Sequence, residues 1–97
     1  MKYLDENVKL NDILTDEVTI VDYYADWCGP CKMLEVELEE LTDITVIKVD
    51  TEKHMQLAME KKIMSIPYVE IYKNKALVTS FMGFKTKDEI VQTLNNI

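Results

Sequence analysis

Apolar and polar positions along this 97-residue chain fall into segments of two periods, and those periods predict its elements. Lys2 to Leu4 reads as a short first strand. Asp5 is placed to cap a first helix running to Leu14, with Val8, Ile13 and Leu14 facing inward. Val18 to Ala25 is a β-branched and aromatic run, the composition of a buried strand. From Cys31 to Leu41 the pattern changes, because Leu34, Leu38 and Leu41 recur at helical spacing. Thr42-Asp43 leads directly into Ile44 to Val49, a second buried strand. A third helix follows, capped by Asp50 or Thr51 and carrying Met55, Leu57, Ala58 and Met59. Pro67 to Tyr72 and Leu77 to Met82 are two strands joined by a tight turn at Asn74-Lys75. Thr86-Lys87-Asp88-Glu89 is a capping box opening a last helix, with Ile90, Val91, Leu94 and Ile97 inward. The order is βαβαβαββα. Helices between strands imply a parallel half-sheet, and the closing hairpin adds antiparallel strands, giving an α/β fold in three layers, α/β/α.

Length limits this to a single domain over residues 1–97, with one core. No stretch of about 18 apolar residues is present, so no membrane span is expected. A net charge of −7 disfavours nucleic acid and anionic membrane as ligands. The first residues, Met1-Lys2-Tyr3-Leu4-Asp5-Glu6, lack the apolar core of a secretion signal, so the expected setting is the cytoplasm. In that reducing compartment a close pair of thiols is more often catalytic than structural.

The chain has two cysteines, two glycines, two prolines and one tryptophan, and five of these seven residues form Trp27-Cys28-Gly29-Pro30-Cys31. Cys28 follows a buried strand and precedes a helix, where unpaired N–H groups and the helix dipole favour a thiolate. Such placements bring cysteine pKa values to roughly 3.5–7.5. Its position just ahead of the helix also predicts that Cys28 is exposed, whereas Cys31, one turn inside and shielded, is placed to attack a mixed disulfide formed at Cys28. Gly29 and Pro30 set the spacing, and Pro30 near the helix start gives up no hydrogen bond. Half a zinc site is the competing reading of two cysteines at this spacing. Four ligands are needed, and only His54 could add a nitrogen, so no metal site is expected.

Asp22 lies six residues before Cys28, on a strand face shared with Val18, Ile20 and Tyr24. A carboxylate there is desolvated, its pKa rises, and it becomes a candidate proton acceptor for the thiols. An edge or solvated Asp is the alternative. Lys48 in the neighbouring strand is a candidate partner, or a lysine reaching solvent. Ile66-Pro67 opens a strand where proline cannot donate to the ladder, and a cis bond there would leave backbone groups for a substrate peptide. Gly83 ends the hairpin and permits close backbone approach. His54 reads as a surface helix residue, and Met33, Met55, Met59 and Met64 as core or rim filler.

The stretch from Val21 to Lys32, with Trp27-Cys28-Gly29-Pro30-Cys31 at its end, resembles the active-site signature of the thioredoxin family. Ile66-Pro67 resembles the family's cis-proline element, Lys73-Asn74 its hairpin turn, and Gly83 its groove glycine. Asp22 and Lys48 match its buried carboxylate and lysine. The resemblance covers essentially the whole chain. It implies a five-stranded mixed sheet in the order 1-3-2-4-5, and no bound cofactor beyond a redox-active Cys28–Cys31 disulfide. Cys28 would attack, Cys31 resolve, and Asp22 relay a proton, with Lys48 beside it. Trp27, Gly29, Pro30, Ile66, Pro67, Met82 and Gly83 would meet the substrate. Implied partners are an NADPH-dependent flavoprotein thioredoxin reductase and proteins carrying disulfides, engaged by a monomer. The chain departs from the family pattern at Val36, where a helix-kinking proline is frequent, and at Tyr24, Tyr68 and Asn74-Lys75. The expected activity is general protein disulfide reduction. Two other roles share these features: a dedicated donor to one reductase or peroxidase, and a non-catalytic accessory subunit.

Overall fold

A computed structural model describes every residue from Met1 to Ile97. Its elements are β1 (Lys2–Tyr3), α1 (Leu10–Ile13), β2 (Thr19–Tyr24), α2 (Gly29–Glu39), β3 (Thr45–Asp50), α3 (Met55–Glu60), β4 (Tyr68–Lys73), β5 (Ala76–Met82) and α4 (Lys87–Asn95). The strands form one sheet in the order β1-β3-β2-β4-β5. β3 pairs parallel with β1 and β2, whereas β2–β4 and β4–β5 are antiparallel.

Period-two alternation on the central strands sends side chains into two cores. On one face Val21, Tyr23, Ile47, Val49 and Tyr72 pack with Leu4, Leu10 and Leu14, under α1 and α3. On the other, Ile20, Val46, Val69 and Ile71 meet Leu34 and Leu38 of α2, Leu41 after it, and Ile90 of α4. Each layer of helices therefore removes one apolar face of the sheet from water, at roughly 25 cal/mol per Å² of apolar area. Asp22 and Lys48, opposite each other in the β2–β3 register, fall on the α2 face at the end of the sheet next to the cysteines.

The helix ends differ in how well their chemistry could be anticipated. α4 begins with the expected capping box: Thr86 Oγ1 accepts from Glu89 N–H, and the Glu89 carboxylate accepts from Thr86 N–H. α2 starts two residues earlier than the leucine spacing suggests and runs unbroken past Val36. α1 is much shorter than expected. Asp5 accepts only a turn bond from Val8 N–H, and helix begins at Leu10, where apolar residues become dense enough to anchor one. α3 is capped by neither Asp50 nor Thr51. Asp50 Oδ1 instead accepts from the N–H groups of Glu52 and Lys53, holding a turn before the helix. Of its apolar residues Leu57 packs into the core, while Met55 and Met59 are exposed.

The β4–β5 hairpin closes through a two-residue turn in which Asn74 and Lys75 both have positive φ, 54° and 65°. That is the turn twisted to match its strands, but it places a lysine where glycine is favoured. The ladder slips by one residue at Val78, between the Ile71–Thr79 and Tyr72–Leu77 pairs.

Candidate active site

The site is assembled where β2 ends. Ala25 C=O accepts from Cys28 N–H, turning the chain so that Cys28 becomes the N-cap of α2. Its Sγ accepts the N–H of Cys31 at 3.2 Å, filling the role that a serine or aspartate oxygen plays at other helix starts. Cys28 and Cys31 are joined as a disulfide, their Cα atoms 5.2 Å apart. Pro30, in the first turn of α2, occupies a position whose N–H has no intrahelical partner.

Sequence reasoning expects Cys28 exposed and Cys31 covered. In the closed disulfide both are buried, at 5% and 2% exposure, because Ala25, Tyr24 and Ile66 pack around them. The asymmetry lies in hydrogen bonding: only Cys28 sits at the helix N-terminus and accepts a backbone N–H.

Pro67 and Gly83 return to this spot. The Ile66–Pro67 bond is cis, and the Ile66 carbonyl oxygen lies 3.9 Å from Cys28 Sγ. Gly83 N–H donates to Pro67 C=O at 2.8 Å, tying the end of β5 to the proline loop. Gly83 has φ +84°, a conformation that glycine adopts without strain. Met82 pairs with Tyr68, the residue after Pro67. Trp27 and Met82 are exposed, Ile66 is partly buried, and Gly29 and Pro30 are open to solvent. Trp27 is oriented by its indole N–H, which donates to Glu52 at 3.2 Å. The residues singled out around the thiols thus come together.

Beneath them lies an ionic pair. Lys48 Nζ donates to Asp22 Oδ2 at 2.8 Å, and both side chains are essentially inaccessible. Asp22 Oδ1 has no partner in the chain. Burial raises the Asp22 pKa, an effect that Lys48 offsets only in part and that Glu35 reinforces. Burial acts to lower the Lys48 pKa, but Asp22 and Glu35 together hold it above the ordinary lysine value. The ammonium also lies 4.4 Å from the centre of the Tyr24 ring.

Three features escaped the sequence. Glu35 is a second carboxylate on Lys48, at 3.2 Å. Its one signal is spacing: Glu35 lies one helical turn after Cys31, on the flank of the Leu34–Leu38 stripe. His54 is buried rather than superficial, with Nε2 2.9 Å from the Leu4 carbonyl, a contact spanning fifty residues. Glu70 is buried on the far face of the sheet. It accepts from the hydroxyls of Tyr23, Tyr68 and Tyr72 and pairs with Lys61 at 3.3 Å. The period-two string Tyr68-Val-Glu70-Ile-Tyr72 carried that signal. No group of three or more His, Cys, Asp or Glu side chains is arranged to hold a metal ion.

A thioredoxin family profile matches residues 3–96. The chain belongs to the thioredoxin family. It is 34% identical to a thioredoxin of Mycoplasmoides gallisepticum over 97% of this chain and 99% of that one. With a Bacillus subtilis thioredoxin it shares 33% identity over 84% of this chain and 83% of that one. Among solved structures, a mutant thioredoxin from Halobacterium salinarum superposes with a TM-score of 0.87 at 30% identity, covering 98% of this chain and 88% of that one. Chlamydomonas reinhardtii thioredoxin f2 gives 0.84 at 31% identity, covering 99% and 94%. Family membership and the Cys28–Cys31 pair make the chain a thiol–disulfide oxidoreductase.

Proposed function

We propose that the protein is a general reductase of protein disulfides. The observation that carries this reading is the position of Cys28: its sulfur is the N-cap of α2, bonded to Cys31 N–H and covalently paired with Cys31. On reduction, that N–H and the helix N-terminus favour the thiolate at Cys28.

Cys28 thiolate attacks one sulfur of a target disulfide. A mixed disulfide forms, and the other target sulfur leaves as a thiolate. Cys31 then gives its proton to Asp22 and attacks Cys28 Sγ, which releases the second target sulfur and closes the Cys28–Cys31 disulfide. Two electrons have passed to the target. Asp22 suits the acceptor role because burial raises its pKa and one of its oxygens is unpartnered. Lys48 limits how far that rise can go. Trp27, Gly29, Pro30, Ile66, Met82 and Gly83 form the docking rim around the buried Pro67, and that rim is mostly apolar and offers little to discriminate between targets. This breadth supports a general role over a dedicated one.

The reading assigns the exchange to one domain acting as a monomer, without a bound cofactor, in the cytoplasm. Electrons to reopen the disulfide come from an NADPH-dependent flavoprotein thioredoxin reductase. The test is reduction of insulin disulfides, first with dithiothreitol and then with NADPH and a thioredoxin reductase. Catalysed precipitation of the insulin chains, lost when both cysteines become serine, supports the reading. Wild-type protein that does no better than the double variant overturns it.

A further inference from the structure

Lys48 has two carboxylates to choose from, and they differ in their access to water. Asp22, at 2.8 Å, is fully buried, whereas Glu35, at 3.2 Å, is one-third exposed. The Tyr3 hydroxyl donates to the same Glu35 oxygen, Oε1, at 3.4 Å. Glu35, Lys48 and Cys31 line one cleft of about 180 Å³, open to solvent. The lysine therefore bridges an acid on the inside to an acid on the rim, next to the resolving sulfur.

We propose that Glu35 is a positioning residue for the resolving step: it takes over as counter-ion of Lys48 when Asp22 accepts the Cys31 proton. The inference rests on Asp22 being that acceptor. During transfer the S–H bond of Cys31 breaks, the sulfur goes on to Cys28, and the proton neutralises Asp22. Lys48, almost wholly buried, would then face an uncharged partner, which is costly for an ammonium. Glu35 keeps it paired, so neutral Asp22 becomes accessible without stranding a charge. Once the proton has passed from Asp22 to water, Asp22 re-forms its ion pair with Lys48.

Other titratable groups surround this pair. Tyr3 of β1, Tyr24 at the end of β2, Asp26 just after it and Lys32 of α2 line the same cleft, with the Tyr24 ring 4.4 Å from the Lys48 ammonium. Asp50 at the end of β3 acts on Tyr24, and Glu39 of α2 acts on Tyr3. All of them remain in the variants compared below, so differences between variants report Glu35 and Asp22 alone.

The test is single-turnover reaction of the reduced protein with a chromogenic disulfide of nitrothiobenzoate. One coloured thiolate leaves when Cys28 attacks, and the second when Cys31 resolves. The rate of the second release is followed against pH for wild type, Glu35→Gln, Glu35→Asp and Asp22→Asn. Glu35→Gln keeps the shape and removes one negative charge beside Asp22. Its acid limb should fall by roughly one pH unit and its plateau by roughly three- to tenfold, the scale set by one charge a few ångström away. Glu35→Asp keeps the charge and should keep the wild-type limb. Urea unfolding should be nearly the same for the Gln and Asp variants. A Glu35→Gln profile that superimposes on wild type, or slows without moving its limb, overturns the inference while slow Asp22→Asn preserves the reading beneath it. An Asp22→Asn profile identical to wild type removes that reading itself.

Discussion

Replacing Asp22 by Asn should make the protein more stable at neutral pH, and the gain should depend on pH in a defined way. The carboxylate is buried in β2 with Lys48 opposite, and burial outweighs the lysine, so its folded pKa lies above the ordinary value of 3.8. The folded protein then holds a proton that the unfolded chain has released. Below pH 3.8 both states are protonated, and Asp22 contributes no penalty. As pH rises through the window between the unfolded and folded pKa, ionisation favours unfolding by about 1.4 kcal/mol for each pH unit. Above the folded pKa the penalty is constant. The full penalty at pH 7 is therefore set by the width of that window, at about 1.4 kcal/mol for each pH unit it spans.

Asn removes that charge and retains an oxygen for Lys48, which keeps Glu35 as an ionic partner. Lys48 does not blur the measurement. Its folded pKa is raised, so its own contribution is intact below 10.5 and lost only as pH rises beyond that value. Urea unfolding of both proteins from pH 3 to pH 8 gives the difference curve directly. It should rise from its acid baseline at about 1.4 kcal/mol per unit and then flatten. A difference that is flat with pH, or an Asn variant destabilised at pH 7, would refute the reasoning.

Other substitutions test the packing and the local backbone. Lys75→Gly relieves a lysine held at φ 65° and should stabilise the hairpin by about 1 kcal/mol, read as a rise in Tm of roughly 4–8 °C. Leu38→Ala empties a fully buried site under α2 and should cost about 2–5 kcal/mol in urea unfolding, with the redox site unchanged. Thr86→Ala removes the capping box of α4 and should cost about 1 kcal/mol by the same measurement. Glu70→Ala leaves three tyrosine hydroxyls and Lys61 without their shared acceptor. The expected loss is about 1–3 kcal/mol, and a neutral result would mean that these groups find water instead.

Strands β2, β3 and β4 were legible in the sequence because their β-branched and aromatic runs are long, and the sheet buries both of their faces. α4 was legible because a capping box and an inward stripe of Ile90, Val91 and Leu94 agree with each other. The thiol site was legible for a different reason: glycine, proline and tryptophan are so scarce here that chance would rarely gather them around two cysteines. What escaped depends on contacts between distant segments. Nothing local to His54 indicates a bond to Leu4, and the spacing that sets Glu35 one turn after Cys31 does not reveal its contact with Lys48 on another element. The length of α1 was overestimated because Asp5 has a capping side chain, although the residues after it lack the apolar density to hold a helix. Cys28 was expected to be exposed because it precedes a helix, but the proline loop folds back and brings Ile66 over the disulfide.

The central claim, that Cys28 attacks and Cys31 resolves, is tested most directly by stopping the exchange midway. Cys31→Ser protein, reduced and mixed with an oxidised protein substrate, should accumulate a covalent mixed disulfide. Mass spectrometry should place that link at Cys28, and dithiothreitol should release it. Cys28→Ser protein should trap little under the same conditions. An adduct that forms equally well through Cys31 in the Cys28→Ser variant, or no adduct in either, would contradict the account.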